Sequence, residues 1–519
     1  MHIMFVSSEV APYSKTGGLA DVCCALPKAL AKLGHKVSVV TPLYKCVSEY
    51  LKRNGENFER MFGVTLDVSV RKTTKKAGVC KAKLTGSDVD VYFIEHNDYF
   101  NRDGIYNFQG VDYPDNCERY SFFSRCALEL ILKLDLDVDV IHANDWQTSL
   151  VPVFLDSMYK SRSRFESGAN FIGSFRPSLD DKKDYARIFD KIKSVLTIHN
   201  LRHQGRFWRG AMDVTGLDWS LFTYDKMEFY GQLNLLKSGV VFSDAITTVS
   251  PTYAKEIQTE EYGERLQGVL QCRSNDLTGI LNGIDVDEWN PATDPVLAAN
   301  YDADSFEIGK AKCKADLQAK LGLTQNPETP LCGVVSRFDV QKGLDLVADC
   351  AWDLVEREGV QFAVLGSGDQ AIASRFYELH DRYPNNFAVQ DRFSVELSHQ
   401  IEAGADVFLM PSRYEPCGLN QMYSLRYGTL PLVHDVGGLH DSVVNASDEN
   451  IANGTGVGFL FYWENVEDMK KALAWALYCY RCRRDDWKKM VQAAMRLDLS
   501  WERSAKQYQD LYSNLLEKN

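Results

Sequence analysis

Met1-His-Ile-Met-Phe-Val-Ser-Ser8, Lys15-Thr-Gly-Gly-Leu-Ala-Asp21 and Lys36-Val-Ser-Val-Val-Thr41 decide the fold, because together they read as strand, helix start and strand. Between the two apolar runs, Leu19, Val22, Cys23, Leu26, Leu30 and Leu33 recur at three- and four-residue steps, the spacing of one helix face, and Gly34 closes the helix. A strand, helix and strand in this order form a βαβ unit with parallel strands. At the first strand-to-helix junction, Gly17 and Gly18 let the backbone approach an anion closely. The helix that follows directs its free N–H groups and positive dipole end at the same point, and Lys15 adds a full charge. Taken alone, the same residues also read as a tight turn with a solvated lysine.

The remaining chain repeats this rhythm. Val89 to Glu95, Val138 to His142, Ser194 to Ile198 and Ala245 to Val249 read as further strands of a parallel sheet. Residues 161–193 interrupt with a polar, charged segment that reads as a surface insertion. After residues 285–330 a second series begins: strands Leu331 to Ser336, Gln361 to Leu365, Phe387 to Gln390, Val407 to Met410 and Leu430 to Val433, with helices such as Leu344 to Arg357 and Val395 to Ala403 between them. The expected class is α/β, with two Rossmann-like doubly wound domains facing a cleft and ligands at the carboxyl ends of the strands.

At 519 residues the chain exceeds one core and suits two to four domains at roughly 150 residues each. Apolar residues at 45% and charged residues at 25% describe an ordinary globular composition. A formal charge of −13 without a Lys/Arg-rich run argues against nucleic acid as a partner. No apolar run approaches the roughly 18 residues that cross a bilayer, so no membrane partner is expected. The 13 cysteines show no zinc-type pairing; Cys479-x-x-Cys482 sits in an amphipathic helical stretch, and the thiols read as reduced. The sequence opens directly on a strand, which leaves no room for a signal or transit peptide. The expected location is cytoplasmic, or a plastid if a transit peptide has been removed.

Charge gathers at two strand ends of the second series. Ser336-Arg337-Phe-Asp-Val-Gln341-Lys342-Gly343 places two cations near a helix N-terminus, where they oppose the local dipole unless an anion lies between them; a diphosphate would serve, and two independent surface cations are the alternative. Met410-Pro-Ser-Arg-Tyr-Glu415-Pro-Cys-Gly-Leu419 places a carboxylate ahead of a Pro-Cys-Gly turn. Glu415 there suits a sugar hydroxyl or an oxocarbenium-like centre, and helix capping is the plainer reading. No Asp-x-Asp pair stands at a strand end, so no metal site is expected; Asp88-Val-Asp90 and Asp135-Leu-Asp137-Val-Asp139 read as residues at the edges of apolar strands.

Seven motifs in order make the chain resemble the bacterial-type glycogen synthases and plant-type starch synthases. They are Lys15 to Asp21, His142-Ala-Asn-Asp145-Trp146, Thr197-Ile-His199-Asn200-Leu, Thr247-Thr-Val-Ser-Pro-Thr-Tyr, Asn282-Gly-Ile-Asp285, Ser336-Arg337 with Gln341-Lys342-Gly343, and Glu415 to Leu419 with Gly437-Gly-Leu-His-Asp441. The resemblance implies a B-type glycosyltransferase fold: an acceptor-side domain over residues 1–245, a nucleotide-sugar domain over 246–495, and a C-terminal helix in 496–519 that returns to the first domain. It implies transfer of glucose from ADP-glucose to the non-reducing 4-hydroxyl of an α-1,4-glucan or maltooligosaccharide, with retention of configuration and no cofactor or metal. Lys15, Gly18, Arg337 and Lys342 would then neutralise the diphosphate, and Glu415 would meet the donor glucose. His199 would contact the glucose through its side chain or main-chain carbonyl, and Asp145 would sit toward the acceptor. A satisfied core histidine and a helix N-cap are the alternatives for these two. Asp21, Asn200, Asn282, Cys417, Gly418 and Leu419 follow as substrate-side residues, and Phe393 aligns with an aromatic that stacks on adenine or, equally, with a buried core Phe. A phosphorylase of the same fold would need a pyridoxal lysine site that cannot be located. A UDP-glucose enzyme and a non-catalytic glucan-binding scaffold are the other readings.

The sequence departs from the family pattern in places. His203 stands where relatives carry Tyr, Arg202 replaces a small residue, and Asn420 follows Leu419 where many members have Thr. The acceptor surroundings and donor preference are therefore open at this stage.

Overall fold

The computed structural model describes residues 1–55, 58–71, 73–160, 188–392 and 394–518. Phe393 and most of the expected insertion at 161–193 lie outside the described residues. The chain divides into two compact units: Met1–Val249 with Ala254–Ile280 and Ser504–Asn519, and Ser250–Tyr253 with Leu281–Arg503.

In the first unit nine of the described strands form the main sheet, in the order Leu277–Gly279, Ala245–Thr248, Lys193–Ile198, Val140–Asn144, His2–Val6, Lys36–Pro42, Asp90–Glu95, Thr73–Lys83, Glu59–Val70, beside two small antiparallel sheets of three and two strands. The first seven run parallel, and the last two join antiparallel. Ile3, Met4, Phe5 and Val6 are completely buried, as the near-continuous apolar character of a central parallel strand requires. The antiparallel pair escapes a search for buried runs because its residues alternate: Leu66, Val68 and Val70 are buried while Thr65, Asp67 and Ser69 are more open. Helix Asn116–Leu134 was also not anticipated; it is buried along nearly its whole length.

The second unit holds a parallel sheet in the order Phe387–Gln390, Gln361–Leu365, Leu331–Val335, Val407–Met410, Leu430–His434, Phe459–Phe461. Leu331, Ala363, Leu365, Ile401, Phe408 and Val433 centre its core. Helix Val395–Gly404 starts where Ser394 Oγ accepts from Leu397 N–H at 3.1 Å, and helix Leu344–Glu358 ends at Gly359 in the left-handed region.

The expected boundary at 245/246 needs correcting. Ala245–Thr248 and Leu277–Gly279 both pair into the first sheet, so that unit keeps the chain to Ile280, apart from Ser250–Tyr253. The C-terminal boundary at 496 also moves, because residues through Arg503 belong to the second unit and Ser504–Asn519 to the first. Helix Trp501–Glu517 carries the chain through this change. No helix among the described residues is long and apolar enough to cross a membrane.

Candidate functional site

Each sheet reverses its direction of growth at one place. In the first, His2–Val6 lies between Lys36–Pro42, which follows it in the chain, and Val140–Asn144, which comes much later. In the second, Leu331–Val335 lies between Gln361–Leu365 and Val407–Met410. The loops leaving such adjacent strands diverge, and ligands of open α/β sheets bind in the crevice this creates. Most of the sequence-predicted residues fall at these two places or on the loop after the neighbouring strand Lys193–Ile198.

At the first, the loop after Val6 is built around Glu9, a residue that sequence reasoning passed over. Its side chain is 3% exposed. Thr16 N–H and Gly17 N–H donate to Glu9 Oε2, Thr16 Oγ1 donates to Oε1 at 2.7 Å, and Tyr106 OH donates to Oε1 at 2.5 Å. Burial pushes the Glu9 carboxyl above its ordinary range, and the Tyr106 and Thr16 hydrogen bonds pull the other way. Two backbone N–H groups of the turn ahead of the helix are thus taken by a carboxylate. Helix Gly18–Lys32 begins just beyond them. Lys15 reaches Asp21, Nζ to Oδ1 at 2.7 Å, with its side chain 53% exposed. Gly17 has extended backbone with nothing within 4 Å of where a Cβ would stand, so packing within the protein does not itself require glycine there.

After Asn144 the chain turns sharply, with Asp145 at φ 55°, in the left-handed region. Asp145 does not cap its own short helix: its Oδ1 accepts from His199 N–H at 2.7 Å, and Asn200 N–H also donates to the carboxylate. Burial raises its pKa to about 7, against the pull of those two N–H groups. His199 is half-buried, and its Nε2 lies 2.9 Å from Asn144 Oδ1. Burial lowers its pKa to about 3. The buried His142, lowered to about 3 by the same cause, contacts Tyr512 OH through Nδ1 at 2.6 Å and Thr197 Oγ1 through Nε2 at 2.5 Å.

At the second place, Arg337 is exposed and its side chain has no ion-pair or hydrogen-bond partner among the described residues. Beyond it, Asp339 caps a single 3-10 turn, Val340–Lys342. Gly343 follows at φ 62°, where a Cβ would stand 1.9 Å from Pro411 O; only glycine lets this loop close onto the neighbouring strand end. That closure delivers Lys342 Nζ to Glu415 Oε2 at 2.6 Å. Ser412 Oγ donates to the same oxygen at 3.0 Å, leaving Oε1 without a hydrogen-bond partner among the described residues. Glu415 is 5% exposed. Arg413, adjacent in sequence, turns away into a two-pronged pair with Asp345.

The Glu415 loop is held from several directions. Gly438 N–H donates to Glu415 O, Gln341 Nε2 to Tyr414 O, and Asn420 Nδ2 to Val335 O at 2.6 Å. Gln421 Nε2 donates to the carbonyls of Cys417 and Gly418, and Ser250 Oγ donates to Pro416 O. Thr252 binds Asp441 through both N–H and Oγ1, so two of the sequence motifs serve as braces. A Cβ on Gly438 would stand 2.1 Å from Cys417 O, which accounts for the glycine in Gly437-Gly-Leu. Burial raises the Cys417 thiol to about 12, with hydrogen bonds from Asn282 acting against it, while Asn282 Oδ1 is itself buried without a partner among the described residues. Leu419 precedes helix Asn420–Arg426.

The structure therefore brings together Lys342 with Glu415, Asp145 with His199 and Asn200, Lys15 with Asp21, and Asn282 with Cys417; Arg337 joins none of them by a bond. Glu9, Tyr106, Asn144 and Ser412 are the residues sequence reasoning missed. Glu9 carries no pattern of its own in Ser7-Ser-Glu-Val, and its role depends on a tyrosine 97 positions away. Among the described residues no three His, Cys, Asp or Glu side chains gather as a metal ion would require.

The starch synthase catalytic domain family matches residues 2–171 and 177–272, and the glycosyl transferases group 1 family matches 319–494. A glycogen synthase of Thermotoga maritima is 45% identical over 100% of this chain and 99% of its own length. Glycogen synthase 1 of Geobacter sulfurreducens is 41% identical over 100% and 97%. Among solved structures, the catalytic domain of starch synthase IV from Arabidopsis thaliana, bound to ADP and acarbose, has a TM-score of 0.85 at 32% identity and covers 100% of this chain and 99% of that one. A sucrose-phosphate synthase from Thermosynechococcus elongatus, at 17% identity and a TM-score of 0.55, shares the fold.

Proposed function

This chain belongs to the glycogen and starch synthase family of glucosyltransferases, with their two-domain B-type fold, and on that premise we propose that it transfers glucose from ADP-glucose to the non-reducing 4-hydroxyl of an α-1,4-glucan, with retention of configuration. The observation that carries this reading is the Lys342–Glu415 pair at the point where the second sheet reverses. Lys342 and the unpaired Arg337 offer positive charge to a diphosphate, and that charge matters most as the diphosphate leaves and its own negative charge grows. Glu415 Oε1 accepts from hydroxyls of the donor glucose while Lys342 and Ser412 hold Oε2. Asn282, Cys417, Gly418 and Leu419 shape the wall beside it.

Lys15 and Gly18 offer charge and backbone donors to a diphosphate, and the glycine at Gly17, not demanded by packing, leaves room for a close ligand. Asp21 holds Lys15 until the ligand competes for it. Asp145 fixes His199 and Asn200 on the sugar side. The charge on Arg337, Lys342 and Lys15 makes a divalent cation unnecessary, so a chelator should leave activity intact.

Incubating the protein with radiolabelled ADP-glucose or UDP-glucose and a maltooligosaccharide, and following chain growth and nucleotide release, tests the reading. Elongation from ADP-glucose is expected; no elongation from either donor would overturn it.

A further inference from the structure

Asn144 is 1% exposed, and its amide is fully engaged. Nδ2 donates to Val6 O at 3.2 Å and to His142 O at 3.3 Å, while Oδ1 lies 2.9 Å from His199 Nε2. These three contacts determine which way the amide faces. Reversing it would set Oδ1 against two carbonyl oxygens, which cannot donate, and would cost both hydrogen bonds. With Oδ1 facing the imidazole, Nε2 must be the donor. A neutral imidazole carries one N–H, so Nδ1 is left with its lone pair and has no hydrogen-bond partner among the described residues. Desolvation holds the His199 pKa down at about 3, so the ring is neutral, and Asp145 spends its carboxylate on the His199 and Asn200 backbone rather than on the ring.

The geometry points to Asn144 as a positioning residue that locks His199 in the Nε2–H form, so that the imidazole meets its ligand as a hydrogen-bond acceptor and selects a hydroxyl that donates. This rests on the reading of His199 as a sugar contact. The consequence is one of specificity: a sugar whose facing hydroxyl is replaced by an acceptor-only group, such as fluorine, meets a lone pair and is rejected. Without Asn144 Oδ1 the ring can turn or change tautomer, and the same sugar loses its partner.

The test uses the full-length protein labelled with 15N-histidine. In the wild type, long-range 1H–15N spectra, assigned by loss of signal in His199→Ala, should show His199 with a protonated Nε2 whose proton exchanges slowly, and no titration between about pH 5 and pH 8. The other groups facing the ring, His142 and Asp145, are unchanged in the variants. Asn144→Asp keeps an acceptor but adds charge, so His199 should titrate at a higher pH, with transfer low in acid and recovering as pH rises. Asn144→Ala should lose about 10²-fold in kcat at every pH, with a smaller change in KM. Thermal melting checks that both variants fold. A protonated Nδ1, a freely exchanging Nε2 proton, or a His199 titration unmoved in Asn144→Asp would overturn the lock. Expected spectra with an unchanged kcat in Asn144→Ala would overturn its role in transfer. A wild type with no transfer activity would overturn the functional reading instead, while the spectra would still decide the tautomer.

Discussion

The places where the two sheets reverse are built from the same parts and treat charge in opposite ways. In the first unit the carboxylates are scaffolding: Glu9 grips the backbone of Thr16 and Gly17, Asp145 grips that of His199 and Asn200, and the cation Lys15 is tied to Asp21 at the surface. In the second unit the carboxylate is presented: Lys342 and Ser412 hold one oxygen of Glu415 and leave the other without a partner among the described residues, Gly438 and its neighbours brace the backbone, and the Arg337 side chain is unpaired among the described residues. A buried carboxylate spent on backbone N–H groups shapes a loop, whereas one held through a single oxygen by a lysine and a serine keeps the other oxygen available for chemistry. The first place spends its charge on holding loops, and the second keeps charge in reserve.

The sharpest way to break this contrast is Glu415→Ala. Transfer should fall at least about 10³-fold while circular dichroism and thermal melting stay close to wild type, because the bracing of the loop runs through main chain. A mild loss would return Glu415 to scaffolding. Lys342→Ala should raise the barrier by about 2 to 4 kcal/mol, measured as kcat with ADP-glucose, as for one lost donor to a developing anion. Full activity would remove the diphosphate from this loop. Glu9→Ala should cost less in rate, about 10-fold to 10²-fold, by loosening the Lys15 loop, and ADP affinity measured by calorimetry should change little.

Asp145 sharpens the comparison through pH. Its pKa in the folded protein is raised to about 7 from its ordinary value of 3.8, so between those values the folded state binds a proton that the unfolded state has released. Stability from this group therefore falls as pH rises through that window, and the cost is fully present above about pH 7. Asp145→Asn should flatten that slope in urea titrations at pH 4, 5.5 and 7, with a gain of order a few kcal/mol at the top of the window. An unchanged slope would mean that the carboxylate is not isolated from solvent as its burial implies. The smallest effect belongs to the exposed Lys15–Asp21 pair: Asp21→Asn should shift stability by no more than about 1 kcal/mol.

Much of this was readable in the sequence because it is written locally. Strand Gln361–Leu365 and helix Val395–Gly404 announce themselves by apolar runs and three- and four-residue spacing, and the glycines of Gln341-Lys-Gly and Gly437-Gly-Leu mark close approaches. What was missed depends on distance along the chain. Nothing near Glu9 signals Tyr106, and nothing near Asn144 says that its amide faces a histidine 55 positions on. The boundary near residue 245 was misplaced for the same reason. Ala245–Thr248 reads as a strand of the first series, yet nothing near it shows that Leu277–Gly279 pairs beside it and carries the unit on to Ile280; only pairing assigns a strand to a sheet. Local pattern names the elements, and the long-range hydrogen bonds decide what the charged groups do.

Helix Trp501–Glu517 sets the order in which the protein can be completed. Tyr512 bonds His142 across 370 positions, two residues from Asn144 and three from Asp145. Residues on both sides of Leu281–Arg503 belong to the first unit, which stays incomplete until Ser504–Asn519 is made, whereas all of the second unit, Ser250–Tyr253 included, has been made once the chain reaches Arg503. The second-made unit can therefore close before the first-made one is whole, and damage to the tail is felt at the head.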